Sequence, residues 1–208
     1  MNMWIRRTWF LASLLLLAAN PARAQPGAQP PADTTNWKRG TTLAIFAGTA
    51  SASSDTGLVA GGTIGWEVTP RVSIEGSGSW LDRNDGATGF AATMGVATNL
   101  LRTRPVAPFV IGGFGLYHAS FDRSRGTIPE FYSDRLSEDG NGTIASFTDP
   151  AFVIGGGVNI FASRRWSVRP AVEALIAVND SDTYTITQLT VQLAYHFEER
   201  TITPASAH

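Results

Sequence analysis

His118, Ser120 and Asp122 have the residue types of a base, a nucleophile and an orienting acid. On an extended strand the three would share one face, because alternate side chains point the same way. The same geometry spaces neighbours on that face by about 6.6 Å, too far for direct proton transfer. Of the other histidines, His196 lies near a strand end and His208 is the last residue of a polar tail. The chain is therefore read as having no catalytic residues, and a lipid-modifying enzyme at a membrane surface is the rival reading.

Cofactor chemistry has little support. The glycine runs VIGGFG (110–115) and GGGVNIF (155–161) lack the GxGxxG spacing of a dinucleotide loop, and no βαβ unit follows them. Glu138, Asp139 and Asn141 lack the spacing and closing Glu of a calcium loop. No metal and no cofactor is expected. The remaining ionisable and amide groups, Glu67, Glu75, Arg169, Glu173, Gln192 and His196 with Asn99 and Asn159, fall on the polar side of alternating segments. Such groups inside a fold must pair, so Arg169 is expected to meet Glu75 or Glu173. Arg169 and Glu173 are separated by about 13 Å along one strand, which favours partners across the interior.

Eight segments have the strand pattern that would position these groups: 41–50, 57–68, 71–81, 87–100, 106–120, 151–162, 166–178 and 184–197. In the seventh, Trp166, Val168, Pro170, Val172, Ala174, Ile176 and Val178 oppose Ser167, Arg169, Ala171, Glu173, Leu175 and Ala177. In the eighth, Leu189, Val191, Leu193, Tyr195 and Phe197 oppose Gln188, Thr190, Gln192, Ala194 and His196. One face is apolar and the other carries Ser, Thr, Gln and charge. A soluble barrel, filled with Val, Ile and Leu, would show the inverse. The fifth segment leaves two settings open, because Gly112-Gly113 interrupts its alternation: Phe109, Ile111 and Tyr117 compete with Val110, Phe114 and Leu116 for the outer face.

The links alternate in length. Thr69-Pro70, LRTRP and SRR are short; SASSDT, DRNDG, NDSDT and above all residues 121–150 are longer. In an up-and-down barrel every second link lies at the same rim, and outer-membrane barrels keep periplasmic turns short while outer loops grow. The long links are accordingly expected outside the cell and both termini in the periplasm. Trp66, Trp166, Tyr195 and Phe197 would form an aromatic girdle at the periplasmic rim, with Trp80 near the outer one. Within 121–150, Phe131, Tyr132 and Arg135 are candidate surface-binding residues in a link unusually rich in apolar side chains. That link either rises as a hairpin whose edge could accept a partner strand or folds back over the barrel mouth.

The N-terminus has the pattern of a secretory signal: a basic start, a short apolar run, and small residues Ala22 and Ala24 before Gln25. Residues 1–24 are read as the signal, 25–40 as a flexible Pro- and Ala-rich lead-in, 41–197 as the barrel and 198–208 as a polar periplasmic tail. Removing Arg6, Arg7 and Arg23 from the 16 basic residues leaves 13 against 17 acidic ones, a net charge of −4. A mildly acidic chain without a basic patch is a poor partner for nucleic acid. With no cysteine, stability must come from packing and a complete hydrogen-bond ladder.

The stretches PFVIGGFGLYH (108–118), GGGVNIFASRRWSVRPAVEA (155–174) and the closing QLTVQLAYHF resemble small eight-stranded outer-membrane barrels of the OmpA transmembrane domain and OmpX kind, in the outer membrane protein beta-barrel class. The resemblance implies an all-β, eight-stranded antiparallel up-and-down barrel. It also implies a monomer in the lipid bilayer, beside lipopolysaccharide, and insertion by machinery that reads the aromatic Phe197. A charged network would plug its lumen. The resemblance leaves the function open; the long 121–150 link and the lack of a nucleophile–base pair point to a structural or adhesion-like role with a surface or envelope protein partner, the alternatives being a narrow diffusion channel or a lipid A-modifying enzyme.

Overall fold

The computed structural model describes residues 40–52, 55–82, 87–100, 106–122, 124, 131–132, 144–163, 165–179 and 182–197. The expected signal, the tail and all of the lead-in except Gly40 lie outside them, as does Arg135. The strands are β1 (Thr41–Ala52), β2 (Asp55–Glu67), β3 (Val72–Asp82), β4 (Ala87–Asn99), β5 (Val106–Asp122), β6 (Ile144–Phe161), β7 (Trp166–Asn179) and β8 (Asp182–His196). Each pairs antiparallel with its sequence neighbour, and β1 pairs with β8, so the eight close into a barrel. Closure leaves no continuous sheet edge along the body, as lipid demands, because each unpaired backbone group there costs several kcal/mol. The shortest strand, β3, has 11 residues. At 3.3 Å per residue and a tilt near 40°, a strand of that length spans roughly 28 Å, enough for an apolar band about 25 Å tall.

The barrel is inside-out. Ile45 is 66% exposed and Phe114 64%, with Leu58, Ile64, Trp66, Phe152 and Ile154 similarly bare. Bare apolar surface on this scale needs an apolar solvent. No helix among the described residues is long and apolar enough to cross a membrane; the strands do the crossing.

On β5 the register settles which face is which. Pairing with β4 and β6 runs unbroken through Gly112-Gly113, so there is no bulge. Phe109 and Tyr117 are buried and Ile111 half-buried inside, whereas Val110, Phe114 and Leu116 face out. The glycines supply close approach instead. A Cβ on Gly113 or Gly115 would run into the β4 backbone at Met94 and Ala92. Gly115→Val should therefore cost about 1–3 kcal/mol by overpacking, read as a lower urea midpoint for barrel unfolding.

β5 and β6 are also longer than their sequence pattern implied. β6 begins at Ile144, so the expected 121–150 link shrinks to 123–143. Thr148-Asp149-Pro150 has turn composition, yet it stays extended because β5 pairs with it as far as Asp122 opposite Ile144. On its other side the ladder to β7 stops at Ala151↔Ala177. The next residue, Pro150, has no N–H to donate. Ala162 donates to Trp166, which sets the even-numbered residues of β6 toward β7. Above Pro150, Ile144, Ser146 and Thr148 thus turn their backbone groups to a side where no described residue of β7 pairs with them.

Candidate functional site

The interior has two halves. Toward the short links it is polar. Arg169 on β7 reaches across to Glu75 on β3, four strands away in a ring of eight and hence on the opposite wall. Its Nη1 donates to both carboxylate oxygens at 2.9 Å, and both side chains are about nine-tenths buried. Ser73 donates to Glu75 Oε1 at 3.0 Å, and the guanidinium carbon sits 3.7 Å from the Phe109 ring centre. The pair is thus held by hydrogen bonds and a cation–π contact, the conditions under which buried charge is tolerated.

Around it the wall is a belt of amides and hydroxyls. Asn159 donates to Asn99 at 3.0 Å, Ser77 and Thr93 share a 2.7 Å bond, and Gln188, Thr190 and Gln192 are buried. His196 joins the last wall to its neighbours, with Thr42 at 3.0 Å from Nδ1 and Ser167 at 3.0 Å from Nε2. Cavities lie among these described residues. One of about 30 Å³ is lined by Glu75, Glu173, Gln188 and Gln192. Another, about 50 Å³, is lined by Glu67, Asn99, Asn159, Arg169 and His196. Each has room for only a few waters.

Toward the long links the interior is apolar, which corrects the expectation of a polar face throughout. Val59, Leu81, Tyr117, Phe121, Phe147, Leu175, Tyr184 and Ile186 form one buried cluster there. Phe131 and Tyr132, from the 123–143 link, are inserted into it. Tyr132 is wholly buried, so it does not stand on a surface as expected. Its ring lies 5.1 Å from Phe121, 5.3 Å from Phe147 and 5.7 Å from Tyr184, and Phe131 stacks on Tyr184 at 5.6 Å. Burial first, then neighbouring Tyr117 and Asp149, hold the Tyr132 phenol well above its ordinary value, so it stays protonated. These two residues act as an aromatic cork. Their placement agrees with the alternative in which the link folds back over the barrel mouth; the apolar cluster beneath was not expected, because apolar residues stand on both faces of the strands at this end.

Outside, His118 Nδ1 pairs with Thr148 Oγ1 at 2.8 Å, and Asp122 Oδ1 accepts from the Ser124 backbone N and Oγ at 2.9 and 2.6 Å. The contacts described tie His118 to Thr148 and Asp122 to Ser124, and alternate spacing along β5 sets His118, Ser120 and Asp122 about 6.6 Å apart. Trp66, Trp166 and Phe197 are exposed at the short-link rim, where Tyr195 packs between Trp166 and Phe197, and Trp80 is exposed near the opposite rim. Among the described residues no group of His, Asp and Glu is arranged to hold a metal ion.

A closed eight-stranded barrel with an apolar exterior and a narrow interior, polar in one half, defines a small transmembrane barrel. The chain belongs to the outer membrane protein beta-barrel domain family, whose model matches residues 10–197. Among solved structures it is similar to Neisserial surface protein A, with 12% identity and a TM-score of 0.58 over 76% of this chain and 97% of that one. It is also similar to the N-terminal barrel of Pseudomonas aeruginosa OprF, with 13% identity and a TM-score of 0.51 over 77% and 100%. At these identities the likeness is one of fold. No curated protein matches the sequence.

Proposed function

We propose that this outer-membrane barrel is non-enzymatic and acts as a structural or surface-binding protein through the β5–β6 hairpin and the 123–143 link. The observation that carries the reading is the side of β6 above Pro150, where no described residue pairs with Ile144, Ser146 and Thr148 beyond the last β7 pair. An extended segment of a surface or envelope protein partner could add there as a strand, the main chain supplying affinity and alternate side chains specificity. In this reading the long links are extracellular, the short links and both termini periplasmic, and the barrel is a monomer among phospholipid and lipopolysaccharide. The separate hydrogen bonds of His118 and Asp122 support the absence of catalysis.

Replacing 133–143 with a Gly-Ser link of equal length, leaving Phe131 and Tyr132 in place, is expected to weaken binding of whole cells to host surfaces and capture of envelope proteins. Binding equal to wild type would count against the link. A second substitution, Ser146→Pro, removes one edge donor and should weaken strand addition on its own.

A narrow diffusion channel has one observation in its favour. Arg169 Nε and Nη2 and Gln192 Oε1 are buried without a protein partner, and water in the adjoining cavities would satisfy them. The aromatic cork stands against a continuous path.

A further inference from the structure

The charges at the centre of the polar half do not balance. Glu173 points inward from β7 and lines the cavity of about 30 Å³ together with Glu75. The charges acting on it are Arg169 and Glu75, and Arg169 Nη1 is already given to both oxygens of Glu75. Among the described residues the Glu173 carboxylate has no hydrogen bond and no ion pair. Its stem lies over Gly155 of β6, where an added Cβ would stand 2.7 Å from Glu173 Cγ. One guanidinium against two carboxylates leaves one negative charge in excess. Enclosed charge of this kind is paired or coordinates a cation.

The wall around Glu173 supplies oxygen. Gln192 is 5% exposed and lines the same cavity, and its Oε1 is buried without a protein partner. The register sets Thr63, Ser77 and Thr93 side by side on β2, β3 and β4, and all three line the cavity too. Ser77 and Thr93 share one 2.7 Å bond, which leaves lone pairs on both oxygens.

We infer that Glu173, Gln192 Oε1 and these hydroxyls form a binding site for a monovalent cation of sodium's kind inside the barrel. Carboxylate, amide carbonyl and hydroxyl oxygens are the donor set of a hard cation. The three-ligand His and carboxylate groups of other metal sites are absent among the described residues, and an alkali ion needs none of them. Charge selects the valence, because one excess carboxylate is matched by one positive charge and a divalent ion would leave a surplus. Space agrees, since the cavity takes one ion with a water or two. Thr63 and Glu75 also line the cavity of about 50 Å³ that reaches Thr69, Pro70 and Arg71 at the short links. The ion enters by that route, passes the Arg169–Glu75 pair and stops below Leu175 of the apolar cluster. Spacing along the chain could not show the site, because its donors come from five strands.

The test is the urea midpoint of the mature protein in phosphatidylcholine vesicles, in sodium chloride or N-methylglucamine chloride. Ionic strength is held equal and the pH mildly alkaline. Sodium should raise the midpoint by roughly 0.5 M at about ten times its dissociation constant, because it binds the folded barrel alone. Glu173→Gln should abolish the difference between the two salts. Gln192→Leu leaves every charge in place and should weaken sodium binding several-fold, so the site stays testable if Glu173→Gln does not fold. Folded wild type should also broaden the sodium-23 resonance beyond protein-free vesicles, and either variant should lose that broadening. Equal wild-type midpoints in the two salts, or a difference that persists in Glu173→Gln, would overturn the site. A larger response to calcium chloride than to sodium chloride would overturn the single-charge assignment. A midpoint indifferent to sodium that rises on acidification would give the excess charge to a proton, and the cation site would fall.

Discussion

Arg169→Ala is expected to destabilise the barrel by about 3–5 kcal/mol, because it strands a buried carboxylate whose cation partner among the described residues is Arg169. Glu75 and Arg169 expose only 10% and 9% of their side chains, so water cannot take the place of the lost partner. The measurement is the urea midpoint of the mature protein folded into lipid vesicles. Glu75→Gln with Arg169→Met removes both charges while keeping volume, and it should cost clearly less than Arg169→Ala. A single Arg169→Ala variant within about 0.5 kcal/mol of wild type, the size of an ordinary surface change, would show that the cross-barrel pair contributes little.

Tyr132→Ala should cost about 3 kcal/mol or more, the usual result of emptying a buried aromatic site. Its ring touches Phe121, Phe131, Phe147 and Tyr184, so no single neighbour can collapse into the space. Tyr132→Phe keeps the ring and removes only the buried phenol oxygen near Asp149. It should cost about 1 kcal/mol or less, well below Tyr132→Ala. The temperature at which the folded gel band is lost would rank the three proteins. If Tyr132→Ala melts with wild type, the link does not cork the barrel.

The two halves of the interior differ in how much of them can be read from sequence. Alternation is plain in the lower part of β3 and in β8, where Ser73, Glu75, Ser77 and Ser79, and Gln188, Thr190, Gln192 and His196, stand between the apolar residues. The need for Arg169 to find a carboxylate follows from the cost of burying charge alone. Which carboxylate it finds depends on closure: only when β1 meets β8 do β3 and β7 become opposite walls and bring Glu75 within reach. Strand five was ambiguous because glycine carries no polarity to mark a face, and the unbroken register with β4 and β6 is long-range information. The apolar upper half was hidden for a related reason. Val59 and Leu81 point inward beside outward Leu58 and Trp80, so the period of 2 carries no contrast there. At the top of β6, Asp149-Pro150 has the composition of a turn, and only pairing with β5 holds it extended.

The closed lumen is the centre of this account, and single-channel current across a planar bilayer tests it most directly. With the ion pair spanning the polar half and the cork filling the other, purified wild-type barrel should pass no steady current. Glu75→Ser and Arg169→Ser combined with Phe131→Ala and Tyr132→Ala should open a small, voltage-stable leak. A large, stable conductance from the unmodified protein would contradict the account and make the barrel a diffusion channel.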